Sequence, residues 1–444
     1  MFSVINSTPA PQPDVPDVHT LVAFAAFAAN QTPVDPPKPH FSSWKTNIFD
    51  KPLILDAIAA ICVTERRPEP AAVALAIDTK LHQVRLLITQ GGVTQPDERL
   101  LSHICKIWGL LQRHSKQALK NRRQSLGQVG LTKPEQCLHR HIYLAKRVVV
   151  MKVIGKWWPM LDAADRQLGR SRRASGEKVL QSSPMSPFRH ALLSLRKAVR
   201  IMGQDLSLLS LESWQQVVSL MDAASGHFRA MVNQCRRRGG SYKDYGGCEP
   251  FQARTALENL TSLHGKILTL TTFASSPCPS DIFTFKLQVS FLTCPSRLIP
   301  LPTNWTPAIE SISICHYHTL GSYYAQITGA PGFSAIAGEL AAAYATPQRG
   351  APHPECYLIS YLHTRRGRAT SPLGYIGLSA PACAACYKWI ALYSSHKTQR
   401  FRHRGSTNTW SWPWVLMPGV DESDMAKCLM YCCHRWLRDH KLVG

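Results

Sequence analysis

Two short stretches, "HPEC" at His353 to Cys356 and "SAPACAAC" at Ser379 to Cys386, lie about thirty residues apart and pose one question, whether they hold a single metal ion. Proline is tolerated at the first position of a helix, because its missing N–H would have no partner there. "HPECYLISYL" therefore predicts a helix beginning at Pro354, with His353 just ahead of it and Glu355 in its first turn. "YIGLSAPACAACYKWIALY" predicts a strand running into a second helix that starts near Pro381, with Cys383 and Cys386 in its first turn. There the helix dipole favours thiolate over thiol, and the three-residue spacing sets both sulfurs on one face.

One imidazole and two thiolates suit zinc, and three protein ligands leave its fourth tetrahedral position to water, which distinguishes a catalytic from a structural site. Glu355 then acquires a role. A carboxylate beside such a water takes its proton and passes it to a leaving amine. Each piece alone has a plainer reading: His353 as a loop histidine, Glu355 as an acid favouring a helix dipole, Cys383 and Cys386 as small core residues.

A chain of 444 residues exceeds what one core usually serves, so two domains are expected. Lys and Arg number 51 against 28 acids, a net charge of +23, and most of that excess precedes residue 300. Such a field favours a polyanionic partner, nucleic acid or an anionic surface, without locating a site. The 14 cysteines are irregularly spaced, unlike a small secreted disulfide framework, so reduced thiols are expected. The apolar run Leu21 to Ala29 has acids and no basic region before it, which makes a poor signal peptide, and no stretch has the length of a membrane helix. An intracellular protein, cytoplasmic or nuclear and without a membrane, is the expectation.

Residues 1–45, with "PAPQPDVP" and "VDPPKPH", read as a proline-rich arm. From 46 to 280 apolar residues recur at three- and four-residue spacings, as in "LLSHICKIWGLLQRHSKQALKNRR" from Leu100, so a mostly helical basic region is predicted, with Ser213 as an N-cap. Its basic clusters, around Lys120, Arg170 and Arg236, fit either helix-end cations or a phosphate-binding surface. Phe283 to Phe291 alternate apolar and polar, which predicts a half-buried strand, and the prolines of "CPSRLIPLPTNWTP" suggest the start of a second domain. Residues 300–444 then alternate helix-like and strand-like stretches, an α/β layer.

His-x-Glu followed by Cys-x-x-Cys is the pattern of zinc nucleobase deaminases. With "IGLSAPACAAC" and the later "RGSTNTWSWPWVLMP", the segment from about 300 to 420 resembles the cytidine-deaminase-like superfamily, within it the nucleic-acid-deaminase-like branch expanded in fungi. The resemblance implies a three-layer αβα domain at 300–444 behind the helical region. It also implies Zn2+ held by His353, Cys383 and Cys386, with Glu355 as the catalytic proton shuttle. The reaction it implies is hydrolytic deamination of a cytosine- or adenine-type base in a nucleoside or nucleic acid. The superfamily commonly sets Pro directly before the first cysteine, where this chain has Ala382.

Around this centre Arg402 and Arg404 are followed closely by Trp410 and Trp412, and cations with aromatic faces suit phosphates and stacked bases, so these four are candidate substrate contacts. The competing reading makes the tryptophans the inward rings of a strand, Trp414 above all. Two alternatives remain open: a nucleic-acid or protein interaction module whose zinc is closed by outside donors such as Cys428, Cys432, Cys433 and His434, or a deaminase fold that keeps its zinc without turnover.

Overall fold

The computed structural model describes residues 15–31, 51–64, 69–91, 98–123, 131–175, 185–204, 209–237, 250–276, 280–314, 331–364, 374–396, 401–407 and 409–439. The chain opens with α1 (Val18–Gln31) and α2 (Lys51–Cys62), followed by the strands β1 (Ala71–Asp78) and β2 (Gln83–Gln90). Six helices follow: α3 (Glu98–Arg123), α4 (Lys133–Ala145), α5 (Arg147–Ser175), α6 (Met185–Met202), α7 (Leu211–Arg237) and α8 (Pro250–Ser275). The chain then forms β3 (Lys286–Thr293), β4 (Arg297–Ile299), α9 (Thr306–Ile314), α10 (Pro331–Ala343) and β5 (Gln348–Gly350). It ends with α11 (Pro354–Thr364), β6 (Gly377–Leu378), α12 (Ala384–His396) and α13 (Glu422–Asp439). The architecture is thus a helical region joined to an α/β sheet.

Strands from both sides of the six helices share that sheet, in the order β3-β2-β1-β6. β1 and β2 form an antiparallel hairpin whose turn is held by Asp78, its Oδ1 accepting from the Lys80 and Leu81 amides at 3.1 and 3.0 Å. β3 returns parallel to β2, and β6 lies antiparallel to β1. Because alternate residues of a strand face opposite ways, Val73, Leu75, Val84, Leu86 and Ile88 enter one core with α2, α3 and α8. Ala72, Ala74 and Leu87 enter a second core with α1, α11 and α12. The small alanines leave room for α11, which lies across β1 and β2.

Some expectations change here. Residues 18–31, inside the stretch read as an arm, form α1, because the apolar run Leu21 to Ala28 is buried in the second core against α13; the rest of 1–45 lies outside the described residues apart from 15–17. The β1–β2 hairpin sits within the region expected to be helical, where a short apolar run, a turn and a second apolar run do not show helical spacing. The strand expected at Phe283 begins instead at Lys286, after a 3-10 turn at Ser280–Thr284. The N-terminal cap of α7 is Ser210, whose Oγ accepts from the Ser213 amide at 3.1 Å. Arg122, at the end of α3, donates to the Ser275 carbonyl at the end of α8, as a helix-end cation does.

Candidate active site

The sheet sets the two motif helices. Thr89, on the face of β2 turned to the second core, donates its hydroxyl to the Pro354 carbonyl at 3.3 Å and so ties the start of α11 to the sheet. β6 is fixed from the other face. Asp56 of α2 accepts from the Leu378 amide at 2.8 Å and from the Tyr375 hydroxyl at 2.9 Å. The chain leaving β6 pairs once more with β1, since Ala71 N donates to Ser379 Oγ and Ser379 N to Ala71 O, at 2.8 and 3.0 Å. It then meets residues 405–409: Ala382 N donates to Gly405 O and Ala384 N to Thr409 O. α12 therefore starts at a fixed point beside α11.

At that point His353 Nδ1 lies 3.4 Å from Cys383 Sγ and 3.2 Å from Cys386 Sγ. All three donor atoms fall within 4.8 Å of one another, and among the described residues this is the one such group that could hold a metal ion. A tetrahedral zinc with ordinary Zn–N and Zn–S bonds holds those atoms about 3.6 Å apart, so the donors already stand close to the required triangle. One nitrogen and two sulfurs are also the donor chemistry zinc takes.

The surroundings position each donor. The His353 ring also hydrogen-bonds to the Pro413 backbone, which as proline offers only a carbonyl; with Nδ1 on the sulfurs, that bond falls to the other ring nitrogen. Burial opposes charge on this ring, but its contact with Cys383 and the nearby Glu355 outweigh it and raise its pKa. The mutual hydrogen bond and burial raise the Cys383 thiol, and burial foremost raises Cys386, so a cation that binds here must displace their protons. Trp414, fully buried, donates its indole N–H to Cys386 Sγ at 3.2 Å.

Glu355 is only 6 % exposed in the first turn of α11 and acts electrostatically on His353, Cys386 and His403. A carboxylate thus stands beside the three donors. His403 was not singled out from the sequence. It lies one residue from each of two arginines, and its only signal is the strand-like alternation in "FRHRG" that turns Phe401 into the second core. Gly405 N donates to its Nδ1 at 3.2 Å, and its ring meets that of the half-exposed Tyr387 edge-on at 5.7 Å. Burial lowers its pKa against the pull of Glu355.

The other candidates are placed as follows. Arg402 is exposed and its backbone bridges to Tyr375, while Arg404 lies within electrostatic reach of Asp56 and Lys266, on the α2 side of the sheet. Trp410 and Trp412 pack against the second core, Trp412 edge-on to Tyr344 at 5.6 Å. Cys428, Cys432, Cys433 and His434 lie on α13 and do not join the donor group; Cys433 donates to the Leu21 carbonyl of α1. Arg365, Arg366, Arg368, Lys397 and Arg400 lie outside the described residues.

Residues 352–417 match the family model described as OTT_1508_deam-like deaminase. The match supports assigning this segment to the cytidine-deaminase-like superfamily. The match spans both motifs of the deaminase-like segment and ends just past Trp414, so the family pattern and the donor triangle coincide in the chain. No curated protein and no solved structure matches the sequence. No helix among the described residues is long and apolar enough to cross a membrane.

Proposed function

We propose that the protein is a zinc-dependent hydrolytic deaminase acting on a cytosine- or adenine-type base, in a nucleoside or a nucleic acid. The observation that carries this reading is the convergence of His353 Nδ1 with the Cys383 and Cys386 sulfurs, inside the matched segment and beside a buried Glu355. The helix-covered faces of the β3-β2-β1-β6 sheet support a three-layer αβα deaminase domain as its frame. The +23 charge supports a polyanionic substrate or partner.

His353, Cys383 and Cys386 would hold the ion, and the chemistry it supplies is Lewis acidity that brings the pKa of a water towards neutrality. The Glu355 carboxylate takes a proton from the attacking water and delivers it to the ring nitrogen of the base, then takes the second proton, from the hydroxyl now on the ring carbon, and delivers it to the amine, which departs as ammonia. Burial of Glu355 keeps bulk water from competing for that proton. His353 is held for its task by the Pro413 carbonyl, and Cys386 by the Trp414 N–H. His403, with Nδ1 accepting from Gly405, keeps its other nitrogen as the donor, within electrostatic reach of Glu355.

Purified protein is expected to carry one equivalent of zinc and to release ammonia from a member of a panel of cytosine and adenine nucleosides and single-stranded oligonucleotides. Glu355→Gln keeps the zinc and lowers turnover by about 100-fold or more. Well-folded protein without stoichiometric zinc, or Glu355→Gln protein with undiminished turnover, rejects the reading.

A further inference from the structure

The helical region holds a cavity of its own, on the far side of α2 from the donor triangle. Its volume is about 190 Å3, on the order of a dozen water-sized positions at about 10–15 Å3 each. α4, α5, α6, α7 and α8 meet there with the end of α2, and the wall is mostly apolar, with Val153, Val199 and Met221 among its members. Two ammonium groups, Lys146 and Lys266, also line it, and none of its described lining residues is acidic.

The two lysines differ in their commitments. Lys146 donates to the Ala60 and Val63 carbonyls at the end of α2, which satisfies hydrogen bonds without cancelling its charge. Lys266 feels the Asp56 carboxylate, but Arg404 stands against the same acid, so the neighbourhood keeps a positive excess. Burial lowers both lysines to about 8, which leaves them charged at neutral pH at an energetic cost that an anion would relieve. Tyr143, which forms part of the wall, has its hydroxyl buried with no hydrogen-bond partner among the described residues.

We propose that this cavity is a binding site for a small amphipathic anion, its anionic head on Lys266 and its hydrocarbon body against Val153, Val199 and Met221. An apolar pocket with a few convergent polar groups is the usual build of a small-molecule site, and here the charge selects the ligand.

Isothermal titration of the full-length protein with decanoate tests this. Saturable one-site binding is expected, weaker by at least about tenfold for decanol and for inorganic phosphate. Lys266→Met is expected to weaken decanoate binding by at least about tenfold without lowering thermal stability, since it removes a desolvated charge. Val153→Trp, which fills the cavity, abolishes it. No binding of decanoate to the unaltered protein, equal binding of decanol, or unchanged binding by both variants overturns the proposal.

Discussion

Trp414 gives its indole N–H to Cys386 Sγ from a fully buried position, a bond that stabilises negative charge on the sulfur where burial alone raises the thiol. Trp414→Phe keeps most of the ring volume and removes that donor. Zinc affinity, measured by competition with a chelator, is expected to fall by about tenfold, with the stoichiometry unchanged. The contact also marks what the sequence could tell at this scale. His353, Glu355, Cys383 and Cys386 were legible because each pair is closely spaced at the start of one helix, although α12 begins at Ala384 rather than near Pro381, so local spacing alone places them. Trp414 was legible as a core ring but not as a donor to sulfur, and His403 not at all, because chain return from 401 to 414 brings them to the centre.

At the scale of elements, the site depends on how closely α2 lies on β6. A Cβ at Gly377 would fall 2.2 Å from the backbone carbon of Leu55, which no side-chain rearrangement relieves. Gly377→Ala is therefore expected to force α2 from the sheet and cost about 3 kcal/mol or more, read as a lower thermal midpoint together with weakened zinc retention. Asp56→Ala removes the acceptor of the Leu378 amide and the Tyr375 hydroxyl from a site 1 % exposed. A loss of about 2–3 kcal/mol is expected, measured by denaturant unfolding. Neither dependence was visible in the sequence. α11, β6 and α12 announced themselves by proline and cysteine spacing, whereas β1 and β2 were hidden in a region whose long helices dominate the pattern. The pairing of β1 with β6 spans about 300 residues, and no local periodicity encodes it.

For the whole molecule, acid is expected to strike the helical region. His139, 1 % exposed on α4, has its pKa lowered to about 3, chiefly by burial, and His103 and His141 are lowered to about 4, again by burial first. The unfolded chain protonates these rings near 6.5 while the folded chain keeps them neutral. Between those values the unfolded state binds more protons, so stability falls as pH drops below 6.5. At pH 5 His139 alone accounts for about 2 kcal/mol. Thermal unfolding of His139→Phe is expected to lose less between pH 7.5 and pH 5 than that of the unaltered protein.

The same long-range pairing predicts that the two regions fold together as one unit. β6, which delivers Cys383 and Cys386, pairs with β1 at Ala72 and Val73, and α11 lies on β1 and β2. β1 and β2 in turn present their other face to α2, α3 and α8, so the sheet is covered on that side by the helical region. A fragment of residues 300–444, although it contains every proposed zinc donor, lacks the strands that align them and would expose the apolar faces of α11 and α12. It is expected to be insoluble or unfolded by circular dichroism and to bind zinc without a fixed stoichiometry. Adding residues 51–91 on a separate chain supplies β1, β2 and α2 but leaves their Val73, Leu75 and Ile88 face only partly covered, so only chains that also carry α3 and α8 are expected to recover one tightly held zinc.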